Sequence, residues 1–271
     1  MTIAQPYIGI TGVVCDADVR TIAECAAIVR KRAPSHRLMA GILVSAKTLR
    51  AAPTANRRYP SIRDADGLLA QCVDAGAWPV VHYNTRATGD DFAAELTVLR
   101  NLCPSMRGVQ LNVVSPDPAV VRHFAETFTD VEVILQINRG ALGASPVPAD
   151  AMAYTRAYPG VRHALFDLSA GNGAVVDVKF AARVARAWPL FNTGARLGVA
   201  GGLGPECALT LGELRDVLDC DRFSELSFDA ESRVRVPVAD PIEGERYQDA
   251  IDRDKALAYV NAVCDAIGGP R

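Results

Sequence analysis

The chain alternates between two kinds of segment. Eight short β-rich runs can be read: Tyr7 to Val13, Arg37 to Val44, Pro79 to Asn84, Gly108 to Val113, Val131 to Asn138, His163 to Asp167, Arg196 to Ala200 and Glu225 to Phe228. Between them lie amphipathic stretches with helical spacing, among them Val19 to Lys31, Asp90 to Asn101, Pro118 to Phe128, Val178 to Ala187, Leu211 to Leu218 and a last one at Asp252 to Ala266. Strands that alternate with helices run parallel, because each helix carries the chain back to the same end of the sheet. Eight such units in 271 residues predict a (β/α)8 or TIM barrel, a single α/β domain over residues 1–271. An open doubly wound sheet is the competing arrangement. It would carry a glycine-rich phosphate turn after its first strand, whereas the glycine pair here follows the seventh.

Composition narrows the chemistry. Apolar residues make up 49% and aromatic residues only 6%, so the core must be built from Ala, Val, Leu and Ile. A net charge of −2 gives no footprint for nucleic acid or an anionic membrane surface. The seven cysteines are scattered, odd in number and free of any CxxC pair, which predicts reduced, mostly buried thiols rather than a disulfide frame or a zinc site. The N-terminal residues lack a basic leader pattern, and no run approaches the ~18 apolar residues that span a bilayer. The expectation is a cytoplasmic protein, with homodimerisation open, that handles a small metabolite without a bound cofactor or metal.

The stretch Leu197 to Glu206 points to that metabolite. A short apolar run ends in Gly201-Gly202, and Pro205-Glu206 then open a helix. Bare backbone at such a turn lets an anion reach N–H groups near a helix N-terminus, which favours phosphate. A tight turn that holds nothing is the plainer reading of the glycines alone. The other strand ends add weight. Side chains alternate along a strand, which puts Val80, His82 and Asn84 on one face, Gln110 and Asn112 on one face, and Gln136 and Asn138 opposite Leu135 and Ile137. Asp167 ends the sixth run, while Asp229, Glu231 and Ser232 follow the eighth. Taken singly, each reads more simply as a helix cap or as bonded to a neighbour. As a set they predict a polar pocket at the C-terminal mouth of a barrel. Long loops at Leu49 to Asp64, Arg139 to Pro148 and Val236 to Tyr247 would frame it.

In this order along the chain, these residues resemble phosphoribosylanthranilate isomerase, a barrel enzyme of tryptophan synthesis. Ile8-Gly9-Ile10-Thr11 is similar to the family's Cys-Gly-Ile-Thr start, and Asn56 to Ser61 to its Ser-Pro-Arg-Tyr-x-Ser loop. Val81 to Asn84 and Val109 to Asn112 sit where the family has Val-Phe-Val-Asn and Val-Gln-Leu-His-Gly. Phe166-Asp167, then Gly171-Asn172-Gly173 and Asp177, resemble Leu-Asp followed by Gly-Thr-Gly and Phe-Asp-Trp. Gly201 to Glu206 matches Gly-Gly-Leu-x-Pro-Glu, and Phe228 to Ser232 resembles Val-Asp-x-x-Ser. Asp254-Lys255 resembles the family's final Lys-Asp-x-x-Lys region.

The resemblance implies an isomerase that opens a phosphorylated aminoaldose ring and moves a proton to give an aminoketose, with an acid for the ring oxygen and a base for the C2 proton. It implies Asp167 as the general acid. The family's base is the Cys before Gly-Ile-Thr, and Ile8 stands there, so Cys15 is the nearest thiol candidate. Asp16 and Asp18 serve more simply as caps of the first helix. Gly171, Gly173, Gly201, Gly202 and Ser232 are the expected phosphate cradle. Arg58, His82, Asn84, Gln110, Asn112, Asn138 and Arg233 are the expected substrate-binding residues. Arg233 replaces the family's glycine, where it would either block the site or clamp an anion. A lyase or aldolase on the same barrel and a non-catalytic phosphosugar-binding barrel are the alternatives.

Overall fold

Along each long strand the side chains that face the helices are apolar, while those that face the barrel axis turn polar toward the strand's C-terminal end. In β5 (Glu132–Asn138), Leu135 and Ile137 pack into the layer between sheet and helices, whereas Ile134 joins the barrel's inner cluster and Gln136 and Asn138 lie beyond it. The computed structural model describes residues 4–52, 55–143, 147–167, 177–188, 194–218, 220–238, 243–244 and 248–268. The other barrel strands are β1 (Tyr7–Thr11), β2 (Arg37–Ser45), β3 (Trp78–Asn84), β4 (Gly108–Leu111), β6 (His163–Asp167), β7 (Arg196–Ala200) and β8 (Ser227–Ala230). Each pairs in parallel with the next, and β8 pairs with β1 to close the ring.

The helices are α1 (Asp16–Arg32), α2 (Ala46–Leu49), α3 (Ile62–Asp74), α4 (Gly89–Leu102), α5 (Pro118–Thr127), α6 (Arg139–Leu142), α7 (Pro148–Arg156), α8 (Val178–Ala187), α9 (Ala208–Val217), α10 (Cys220–Phe223) and α11 (Arg253–Gly268). Their starts follow local chemistry. Asp117 and Asp177 accept from the backbone N–H of Ala119 and Phe180 at 2.8 and 3.0 Å, and Pro118 opens α5 where no N–H is needed. Asp18 acts from inside α1, its Oδ2 accepting from Val14 N–H at 2.9 Å. Helix α3 begins at Ile62, inside the stretch expected as a loop, and α7 was not among the expected helical stretches. Gly67 interrupts the first, and the second buries only Ala151, Met152 and Thr155. The first strand stops at Thr11 rather than Val13 because Gly12 turns the chain with φ +99°. The expected loop after strand eight contains the antiparallel pair β9 (Arg235–Pro237) and β10 (Asp249–Ile251), whose three-residue strands are too short to show a period.

Four inner-face glycines make room for larger neighbours. A Cβ at Gly108 would lie 2.6 Å from Trp78, and one at Gly198 would lie 2.9 Å from Leu165. A Cβ at Gly9 would lie 2.5 Å from Asp229 Oδ1, and one at Gly41 would lie 2.5 Å from Thr11 Oγ1. Interiors packed to this density do not absorb an extra carbon without shifts.

The N-terminal end of the barrel is plugged. Tyr7, Trp78 and His163 meet with ring centroids 5.3–5.5 Å apart, and the Arg37 guanidinium lies 3.4 Å from the Trp78 ring centroid. Arg37 donates to both carboxylate oxygens of Glu132 at 2.9 and 2.7 Å, and His163 Nε2 lies 2.8 Å from Glu132 Oε2. Burial pushes the Glu132 carboxyl up, but the hydrogen bonds from His163 and Arg37 outweigh it and hold it at about 2. A carboxyl held below its unfolded value stabilises the fold above pH ~4.3, and that stability is lost as pH falls toward 2. Glu132→Gln is therefore expected to cost roughly 2 kcal/mol at pH 7 and to flatten the acid limb of the stability–pH curve between pH 4 and 2. Urea melts across that range check both outcomes.

Candidate active site

The polar inner residues lie at the opposite end, where the strands finish. A cavity of about 460 Å³ opens there. Its buried lining includes His82, Gln110, Gln136, Asn138, Asp167 and Asp229, and its exposed mouth includes Asn84, Asn112, Val114, Ser232 and Arg233. Gly201, Gly202 and Leu203 close one side, with both glycines at positive φ, +108° and +61°, where any other residue would be strained. The volume suits a small metabolite.

Two buried carboxyl groups share this space in different settings, with the half-buried Glu231 beside them. Asp167 Oδ2 accepts from Gln136 Nε2 at 3.0 Å. Asp229 Oδ1 accepts from the Thr11 hydroxyl at 3.2 Å. Burial, then the charge of Glu231, hold the Asp229 carboxyl well above the usual carboxylate range, and Asp167 adds to the effect. Burial pushes His82 down to about 3, so its ring is neutral at ordinary pH. The amide oxygens of Gln110 and Gln136 are buried and have no hydrogen-bond partner among the described residues. Two acceptors without partners on a cavity wall suit a ligand that brings donors, such as hydroxyl groups. Asn138 is partly committed, since its Oδ1 accepts from Ala141 N–H at the start of α6, which leaves its Nδ2 group for a ligand.

The structure gathers ten of the expected residues into one cavity: His82, Asn84, Gln110, Asn112, Asn138, Asp167, Gly201, Gly202, Ser232 and Arg233. Gly171 and Gly173 lie outside the described residues. Arg58 does not line the cavity, which corrects its expected place among the substrate-binding residues. It is buried, pairs with both carboxylate oxygens of Asp249, and donates to Glu231 Oε1 at 2.7 Å and to Ser232 Oγ at 3.4 Å. Arg58 thus ties the loop after β2 to the rim after β8. Arg235 extends the tie, donating to Asp249 Oδ1 at 2.6 Å and to Gly12 O at 2.8 Å.

Cys15 is exposed and lies in a separate hollow with Asp16, Arg63, Asp64 and Gln71, outside the cavity that holds Asp167. Ile8 packs into the layer behind the sheet, while Tyr7 belongs to the inner cluster and a Cβ at Gly9 would meet the inner residues Asp229 and Met39. A side chain at position 8 therefore faces the helices. Ile8→Cys is expected to confer no gain in turnover, and Cys15→Ser to lose none, in any assay that reports on the cavity. Arg233 does not fill the hollow. Its Cβ rests against bare Gly204, where an added Cβ would lie 2.4 Å away.

Gln136, Asp229, Glu231 and Thr11 are residues at this end of the barrel that the sequence left without a role. Asp229 and Glu231 were visible as polar strand-end residues, and Thr11 carried no signal beyond its place at the end of a strand.

No family model matches the chain, and comparison with curated proteins finds no match. Among solved structures, it is similar to 3-keto-L-gulonate-6-phosphate decarboxylase from Vibrio cholerae O1 biovar El Tor, with a TM-score of 0.51 and 14% identity over 96% of this chain and 98% of that one. The chain is a TIM barrel. Weaker likenesses join it to a protein named for the dihydrodipicolinate synthase family from Coccidioides immitis, with a TM-score of 0.44 and 11% identity over 84% of this chain and 68% of that one. A protein named as a mandelate racemase from Mesorhizobium loti gives a TM-score of 0.46 and 15% identity over 91% and 56%. Among the described residues no helix is long and apolar enough to cross a membrane, and no group of three or more His, Cys, Asp or Glu converges as a metal site.

Proposed function

We propose that this barrel is an isomerase acting on a small phosphorylated sugar derivative, in a reaction of the phosphoribosylanthranilate isomerase type. One observation carries the reading. A single cavity holds two unlike carboxyl groups, Asp167 and Asp229, in its buried part, and a bare Gly201-Gly202 backbone with Arg233 nearer its mouth. Two titratable groups with different surroundings divide the labour of acid and base.

The resemblance implied Asp167 as the acid. The surroundings of Asp229 favour the reverse division. Asp229, kept protonated by burial and by neighbouring negative charge, gives its proton to the sugar ring oxygen as the C1–O bond opens. Asp167, oriented by Gln136, takes the proton from C2, and the resulting enol or enamine tautomerises to the ketose. Each proton taken is matched by one given, and no redox partner is needed. Gln110 and Gln136 accept from sugar hydroxyls, and Arg233 with the glycine backbone holds the phosphate. Among the described residues no lysine lines the cavity, so a Schiff-base aldolase has no support there.

The test is proton NMR in D2O with phosphoribosylanthranilate and a panel of pentose and hexose phosphates. Loss of the C2 proton, with deuterium entering C1 as ketose appears, would bear out the reading. Carbon–carbon cleavage would turn it to a lyase. Tight binding of a sugar phosphate with no exchange would leave a non-catalytic binding barrel.

A further inference from the structure

The inner face of the barrel has two bare positions on neighbouring strands, Gly9 on β1 and Gly41 on β2, and both are occupied by polar atoms from elsewhere. The space at Gly9 is filled by Asp229 Oδ1, from β8. The space at Gly41 is filled by Thr11 Oγ1, from β1, with His82 Nε2, from β3, 3.1 Å from where a Cβ would lie. The three side chains form a chain of contacts. Thr11 Oγ1 is 3.2 Å from His82 Nε2 and donates to Asp229 Oδ1 at 3.2 Å. All three residues are buried. A hydroxyl has one proton. If it is given to Asp229, the oxygen is left to accept from His82.

We propose that Thr11 and His82 are positioning residues for Asp229: the Thr11 hydroxyl donates to Asp229 Oδ1 while accepting from His82 Nε2–H, which confines the Asp229 proton to Oδ2 and locks one His82 tautomer. The arrangement draws on four strands, and β2 contributes only the space at Gly41. His82 fits this part because burial keeps it neutral, with one ring nitrogen free of a proton. The lock rules His82 out as a base at Nε2, since that nitrogen is already protonated and turned toward Thr11. The groups that bear on Asp229 electrostatically are Glu231 beyond β8, Asp167 on β6, Tyr7 on β1 and Tyr259 on α11, with Arg233 lining the same cavity. Only the kinetic consequence rests on the proposed isomerase reading, in which Asp229 is the acid. The hydrogen-bond pattern stands apart from it.

The experiment is nitrogen-15 NMR of histidine-labelled protein, with His82 assigned by the loss of its signals in His82→Asn, together with carbon-13 titration of the Asp229 carboxyl. In the wild type His82 is expected to show the Nε2–H tautomer from pH 5 to 8. Thr11→Val removes a donor to the ionised carboxyl, so the Asp229 midpoint is expected to rise by about one pH unit and the His82 tautomer preference to be lost. Thr11→Ser keeps the hydroxyl and is expected to restore both signals. An Nδ1–H tautomer in the wild type would overturn the proposal. So would an Asp229 midpoint that does not move in Thr11→Val. If Thr11→Val does not fold, the wild-type tautomer and the Thr11→Ser spectra still decide it. Where isomerase activity is found, the alkaline limb of its pH profile is expected to shift with the same midpoint. If the NMR pattern holds and no isomerase activity exists, the positioning stands and the assigned reaction falls.

Discussion

Replacing Asp229 by Asn is expected to stabilise the fold and at the same time to remove the proposed isomerase activity. The two effects share one cause. The Asp229 carboxyl is buried near Glu231 and Asp167, and its folded value is raised. For a carboxyl raised above its unfolded value of ~3.9, the folded state binds the proton more tightly, so stability falls as pH rises from that value toward the folded one. The penalty grows by about 1.4 kcal/mol for each pH unit in that window and then levels off. Asn cannot ionise and escapes it. The gap between variant and wild type should therefore open above pH ~4 and widen toward neutrality, a difference that thermal melts at pH 4 and pH 8 resolve. Catalysis should fall by roughly a hundredfold to ten-thousandfold in the deuterium-exchange assay, the range for losing a general acid. A variant that is less stable at pH 8, or that keeps its exchange rate, would remove Asp229 from the role of acid. Asp167→Asn should lose activity on the same scale, while the neutral side chain weakens the hold on Gln136.

Arg58→Met is expected to unfold the rim. The substitution removes the cation that faces Asp249 and Glu231 and leaves both acids beside a buried gap. Breaking one partner of a buried ion pair costs about 3–5 kcal/mol, against about 0–1 for an exposed pair. Asp249 sharpens the expectation. Burial pushes its carboxyl up, but Arg58 and Arg235 outweigh that and hold it below the ordinary value. Its contribution is present above pH ~3.9 and is lost as pH falls, so the wild type should lose more stability on acidification than the variant. The measurement also separates two roles for Arg58. A residue that read the ligand would weaken binding and leave the melting temperature alone. A residue that braces the rim lowers the melting temperature first, and affects binding only through Glu231 and Ser232.

The barrel was legible because its signals are local. Alternation of strand and helix needs only neighbouring residues, and the inward set His82, Gln110, Gln136 and Asn138 follows from period two once the strands are placed. The roles within the site were less legible, because they depend on pairing across the ring. The carboxylates that hold Arg58 lie 173 and 191 positions away, so nothing near it in the sequence separates a brace from a ligand contact. Thr11 meets Asp229 across 218 positions. The likeness at Ile8 to Thr11 gave the right strand, but which residues of that strand face inward is fixed by the register with β2 and β8, and position 8 faces outward. Cys15 was proposed for being near in sequence, and the turn at Gly12 with the two residues after it carries it to the outer rim.

The sealed end of the barrel sets the traffic through it. Tyr7, Trp78 and the Arg37–Glu132–His163 cluster fill the axis below the cavity, so nothing passes from one end to the other. Whatever enters has one doorway, and it leaves the same way. In the proposed reaction, substrate and product would share that single corridor.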